Sequence, residues 1–299
     1  MIPLFDLHCD TLLELYRNKL TLDNCKLHIS KDDFSNYSPY IQVLAIWSDN
    51  NLDNESCFLQ YKKALSYARA IGLQFVDIAS DFRKNSYILA VEDARLLNGD
   101  LSRLTTLSRD GVKFLTLNWQ GQTIIGGGWD TSLPLTDFGK KVVYKCFDLG
   151  IVPDLSHSSY ISAKQVMEMC INSEKSVVFS HSNAFSAHNH NRNITDDLFL
   201  NVIKTSSLVG LSLVSQHLSR GSCSIKDFLN HIYHFLSLGG ENYIALGCDF
   251  DGTDDLPRQI HSIRDLSLLY YEIENEFGRD IAQKIFFSNA YKFYCKNFN

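Results

Sequence analysis

Along the 299 residues, short apolar runs alternate with longer stretches whose apolar positions recur at three and four. The first kind of run suits a buried strand and the second an amphipathic helix. Eight runs qualify as strands: 4–9, 40–47, 86–92, 112–119, 150–157, 176–181, 208–214 and 242–249. Helical segments fall between them, at 55–76, 136–150, 159–173, 195–207 and 224–240, and two more close the chain near 262–276 and 278–291. Thr136 is placed to cap the start of its helix and Gly150 the end. Strands alternating with helices indicate parallel βαβ units, and eight of them predict an α/β fold of the closed (β/α)8 TIM-barrel type. No linker interrupts the pattern, so residues 1–299 are expected to form a single catalytic barrel domain.

Composition narrows the function without choosing it. Hydrophobic residues make up 45% of the chain, enough for a large core, and the net charge of −6 is spread without a basic stripe. Nucleic acid is therefore not an expected partner. The start, MIPLFDLHCD, has neither the basic lead nor the apolar run of a signal peptide, and no apolar run approaches the length of a membrane span. The eight cysteines are scattered, with no CxxC pair, and suit reduced thiols of a cytoplasmic protein. The glycine run at 126–128 lacks the context of a phosphate loop and suits a flexible connection.

The chemistry sits at the strand ends. His8 and Asp10 end the first strand, Glu92 the third, His157 the fifth, His181 the sixth and Asp249 the eighth. A barrel builds its active site at the C-terminal ends of its strands. Alternation agrees: Ile88, Ala90 and Glu92 share a face, as do Val177, Phe179 and His181, and Tyr243, Ala245, Gly247 and Asp249. Singly, each polar residue has an ordinary reading as a cap, a turn or a local hydrogen bond. Together, three imidazoles and three carboxylates suit a pair of borderline divalent cations such as Zn²⁺. One ion would leave ligands unused. Glu92 is the natural bridge, since a carboxylate can offer one oxygen to each ion, and the fourth strand presents no well-placed lysine for a carbamylated alternative.

The segments DLHCDTL, AVEDA, LPLTDFGKKVV, LGIVPDLSH, VVFSHSNAFSAHNHNRNITDD and ALGCDFDG occur here in one order. In this they resemble the membrane (renal) dipeptidase family, metallopeptidase family M19, over nearly the whole chain. The likeness is to its free bacterial members rather than to the lipid-anchored animal ones. The resemblance implies an amidohydrolase-like metal-dependent barrel that cleaves small dipeptides with a hydroxide shared between two zinc ions. One zinc would rest on His8, Asp10 and Glu92, the other on Glu92, His157 and His181. Arg192 would bind the dipeptide's C-terminal carboxylate, for which its planar fork is suited. Asp249 would contact the water and handle protons. Family members often form dimers, which allows a homodimer here.

One position departs from the family pattern. Where well-studied members carry a substrate-binding histidine, this chain has Trp119, which offers one indole N–H and no titratable group. His188 and His190, flanking Arg192, are expected at the pocket rim or in solvent. The Trp119 replacement keeps a related reading open, a barrel hydrolase acting on N-acyl amino acids, lactones or cyclic amides. A non-catalytic binding barrel is the reading from another class, and the full ligand set argues against it.

Overall fold

The computed structural model describes residues 1–23 and 25–298. Its strands are β1 (Ile2–Asp6), β2 (Tyr37–Trp47), β3 (Asn85–Glu92), β4 (Val112–Thr116), β5 (Val152–Asp154), β6 (Val178–Phe179), β7 (Leu208–Leu211) and β8 (Ile244–Leu246). All neighbours are parallel, and β8 pairs with β1 through Asp6 and Leu246 to close an eight-stranded barrel. Each expected strand is present, in order. The helices are α1 (Thr11–Asn18), α2 (Asn54–Ala70), α3 (Ser102–Asp110), α4 (Asp137–Leu149), α5 (Tyr160–Ser173), α6 (Asp196–Thr205), α7 (Ser215–Leu218), α8 (Ile225–Ser237), α9 (Leu266–Phe277), α10 (Arg279–Gln283) and α11 (Asn289–Asn297). Three helices went unexpected, α1, α3 and α7. Thr136 caps α4 by accepting the Gly139 N–H, and Gly150 ends it at φ +68°, as the sequence indicated.

Alternation sorts the apolar residues into two layers. Phe5, Leu7, Ile41, Val43, Ala45, Ile88, Ala90, Phe114, Val152, Val178, Leu208 and Ala245 fill the barrel. Leu44, Leu89, Val91, Leu115, Phe179, Val209 and Leu246 face outward into the shell of helices. The floor is closed by the end of the chain, where Phe293, Tyr294 and Phe298 of the last turns join the inner layer. With the bottom plugged and the interior packed, the C-terminal rim is the open end, as it is in barrels of this kind.

Strand β6 corrects the expected alternation. Val178, not Val177 or Phe179, points into the barrel, while Val177 and Phe179 join the outer shell. Tyr243 likewise packs against the outer cluster. The ladder of β6 ends after two residues, and the chain beyond it turns inward. A Cβ added to Gly247 would lie 1.8 Å from the Ser180 carbonyl oxygen, and one on Gly210 1.9 Å from it. Glycine on β7 and after β8 thus lets the Ser180 backbone lean toward the barrel axis.

The loop at 126–128 is also unlike its expectation. All three glycines are buried, and a Cβ on Gly127 would meet Thr131 Oγ1 at 2.4 Å and the Leu133 carbonyl at 2.6 Å. They permit close packing, and the turn they make carries Trp129 to the rim. The eight cysteines are free thiols, six of them buried. Among the described residues no helix is long and apolar enough to cross a membrane.

Buried His231 on α8 ties two loops. Its Nδ1 accepts the Ala184 N–H at 3.0 Å and its Nε2 donates to the Leu218 carbonyl at 3.0 Å. Burial, opposed by the Leu218 bond, lowers its pKa to about 4 from 6.5. A depressed histidine pKa contributes stability that is present above pH 6.5 and is lost as pH falls toward 4. That difference corresponds to about 3 kcal/mol. Metal-free His231→Asn should start less stable yet lose about 3 kcal/mol less than wild type between pH 7 and pH 4 in urea titrations. Parallel pH profiles would contradict this.

Candidate metal centre

All six residues singled out at the strand ends meet at the rim. Main-chain bonds beyond the strands hold them in register. The Asp249 N–H donates to the His8 carbonyl at 3.1 Å, and the Asp10 N–H to the Phe250 carbonyl at 2.9 Å. Glu92 ends β3, whose eight residues run the full length of the barrel wall beside β2. His157 at φ +67° and Asp249 at φ +64° sit in the left-handed region, where a non-glycine residue is held at a cost of about 1 kcal/mol or more. Such strain persists where the surroundings fix it.

Glu92 is the centre of the group. Its Oε2 lies 3.6 Å from His8 Nε2, while its Oε1 lies 3.1 Å from His157 Nε2 and 3.5 Å from His181 Nε2. The two oxygens therefore address two different sets of donors. Asp10 Oδ2 and Asp249 Oδ1 each lie 3.7 Å from His8 Nε2. Three groupings bring donor atoms within metal-binding reach: His8, Asp10 and Glu92; Glu92, His157 and His181; and His8, His181 and Asp249.

The residues fit cations. His8 Nε2, Asp10 Oδ1 and Glu92 Oε1 are buried without a hydrogen-bond partner. Buried polar atoms are otherwise almost always paired. The two Nε2 atoms of His157 and His181 face each other at 2.8 Å, so one must donate unless a cation lies against both. Charge tells the same story. Burial pushes the Glu92 carboxyl well above the usual range, and Asp10 and Asp249 add to the rise against the opposing pull of His8. Burial also raises Asp249 to about 6. For His8, burial alone would lower the pKa, but Glu92, Asp10 and Asp249 outweigh it and lift it to about 10. His157 and His181 are held well below their ordinary value by burial and by nearby positive charge, so both are neutral donors. Nitrogen and oxygen donors in this mixture suit zinc and similar divalent ions.

A cavity of about 500 Å³ opens over the cluster. Arg192 lines it, 4% exposed, its Nη2 donating to the His181 carbonyl at 3.3 Å and its Nε unpaired. Burial lowers the guanidinium pKa to about 10, which leaves it charged at neutral pH. Trp119 is half-buried, stacked on His157 at 5.6 Å between ring centres and tilted against Trp47 at 5.1 Å. His190 is a wall residue, stacked on Trp129 and 4.8 Å from the His217 ring, whereas His188 stands behind it and away from the main cavity. Several wall residues escaped the sequence reading, Trp47, Trp129 and His217 among them. Trp47 ends β2 in register with Glu92, but is apolar. Trp129 lies in the glycine loop. His217 sits on α7 past the end of β7, and only its place in a βα connection could have marked it.

The family model for membrane dipeptidase, peptidase family M19, matches residues 1–295. The chain belongs to this family. It is thus a metal-dependent dipeptidase on a barrel scaffold, as the motifs implied. Solved structures agree in fold. The dipeptidase AC, a family M19 metallopeptidase, gives a TM-score of 0.88 at 24% identity, covering 99% of each chain. A metallopeptidase from Rhodobacter sphaeroides, solved with a phosphinate mimic of the dipeptide L-Ala-D-Ala, gives 0.88 at 22% identity, covering 100% of this chain and 99% of its own. The probable dipeptidase PvdM from Pseudomonas aeruginosa gives 0.86 at 15%, covering 98% and 95%.

Proposed function

We propose that this M19 dipeptidase works with two zinc ions, one held by His8, Asp10 and Glu92, the other by Glu92, His157 and His181. The observation that carries the reading is the division of labour on Glu92, whose Oε2 turns to His8 and whose Oε1 turns to His157 and His181. When bound, such a pair of cations supplies Lewis acidity and a water made nucleophilic near neutral pH. The chain's own residues do the rest. Arg192, charged and with an unpaired Nε, receives the free carboxylate of a small peptide and fixes its register in the cavity. Asp249, raised to about 6 by burial and 3.7 Å from His8 Nε2, is the group to take a proton and return it to the departing amine. The Trp119 ring braces His157 and offers an indole N–H beside the substrate space. The phosphinate dipeptide mimic held by the Rhodobacter relative supports the substrate class. Residues 1–299 act in this reading as one catalytic barrel. A cytoplasmic location is part of it, supported by eight free cysteines.

Chelation should abolish dipeptide hydrolysis, and added zinc should restore it; full turnover by protein shown metal-free would refute the scheme. Metal analysis should give about two zinc per chain. Arg192→Ala should raise KM for dipeptides at least tenfold while leaving zinc content unchanged. Equal rates on C-terminally amidated dipeptides, before and after substitution, would complete the pattern. A panel of N-acyl amino acids and lactones run beside L,L- and L,D-dipeptides tests the related hydrolase reading suggested by Trp119.

A further inference from the structure

Below the metal cluster lies a polar network that none of the roles above uses. Asp154, the last residue of β5, is 1% exposed. Its Oδ1 accepts two main-chain N–H groups, from Ser156 and Ser180, each at 3.0 Å. Its Oδ2 faces two hydroxyls, Thr116 Oγ1 at 2.7 Å and Ser180 Oγ at 2.6 Å. Ser180 Oγ in turn lies 2.8 Å from His181 Nδ1. Its contacts with Ser156 Oγ at 3.4 Å and His8 Nδ1 at 3.5 Å are too long to compete.

The direction of each bond follows from proton counting. A carboxylate only accepts, and a serine hydroxyl has one proton to give. Ser180 gives it to Asp154, at the shorter contact. Its oxygen is then an acceptor, and the atom facing it, His181 Nδ1, must carry the ring proton. We propose that Asp154, acting through Ser180, fixes the His181 proton on Nδ1 and thereby presents Nε2 as a bare lone pair to the metal site. Asp154 is a positioning residue in this role, two hydrogen bonds removed from the ion. The geometry is built in. Gly210 and Gly247 leave room for the Ser180 main chain to lean inward, and a side chain on either would strike its carbonyl. The two N–H donors on Oδ1 stop the carboxylate from rotating.

The inference rests on His181 being a zinc ligand, but its test begins without metal. In metal-free protein labelled with ¹⁵N-histidine, two-bond ¹H–¹⁵N correlations should show His181 protonated on Nδ1, its signals assigned with His181→Gln. Asp154→Asn reverses the chain nearly isosterically. The two fixed N–H groups hold the amide oxygen, so the amide nitrogen must donate to Ser180 Oγ. The serine proton then turns to His181 Nδ1 and drives the ring proton to Nε2. The variant should show that tautomer and bind zinc 10- to 100-fold more weakly. Ser180→Ala, which removes the relay, should weaken zinc binding to a similar degree. An Nε2-protonated His181 in wild type overturns the proposal whether or not the variants fold. So does folded Asp154→Asn that keeps both the tautomer and the zinc affinity. Wild type that shows the Nδ1 tautomer but binds no zinc would refute the metal reading instead.

Discussion

A carboxylate at the mouth of a barrel, shut off from water and ringed by three imidazoles, is the constraint around which this molecule is arranged. Glu92 is 2% exposed and shares its pocket with Asp10 and Asp249, while Arg192 is the nearby fixed cation. So much buried negative charge is unfavourable unless protons or cations neutralise it. Protons can do so only by abolishing the carboxylates as ligands. Divalent cations would do so while giving partners to the unpaired His8 Nε2, Asp10 Oδ1 and Glu92 Oε1. The same feature that makes the empty cluster costly makes it a strong receptor, and it explains why His8 is pulled toward its protonated form.

The scaffold serves that cluster by rigidity. Long strands β2 and β3 place Glu92 at a defined height, and main-chain bonds between the ends of β1 and β8 carry His8, Asp10 and Asp249 to the same level. On the opposite wall the strands are short, and side-chain bonds take over from the ladder. Asp154 collects four hydrogen bonds there and binds the ends of β4, β5 and β6 together. The candidate ligands on one side are thus set by backbone pairing, and on the other by a buried carboxylate and its hydroxyls. Above them the tryptophans and Arg192 shape a cavity, and the buried guanidinium suits a small anionic end group.

Much of this was legible in the sequence because barrels tie chemistry to strand ends. Eight apolar runs became eight strands in order, and the polar residue closing five of them proved to lie in one cluster. Alternation was a sound guide on β3, where Ile88, Ala90 and Glu92 share the inner face. It failed on β6, because a two-residue strand cannot impose a period of two on the residues beyond it, and because glycines on β7 and after β8 leave room for Ser180 to lean inward. The glycine triplet misled for a related reason: glycine marks close approach as readily as freedom. Helix α3 has only two fully buried apolar residues, too few for a clear stripe. Trp47 and His217 were illegible because an apolar strand end and a histidine on a connecting helix acquire meaning only once the wall is closed.

The most direct test is a crystal structure of the zinc-loaded protein with anomalous data collected on both sides of the zinc edge. The account predicts two anomalous peaks at the barrel rim, one against each oxygen of Glu92, with His8 and Asp10 on one and His157 and His181 on the other. A single peak, or peaks that leave Glu92 uncoordinated, would contradict it.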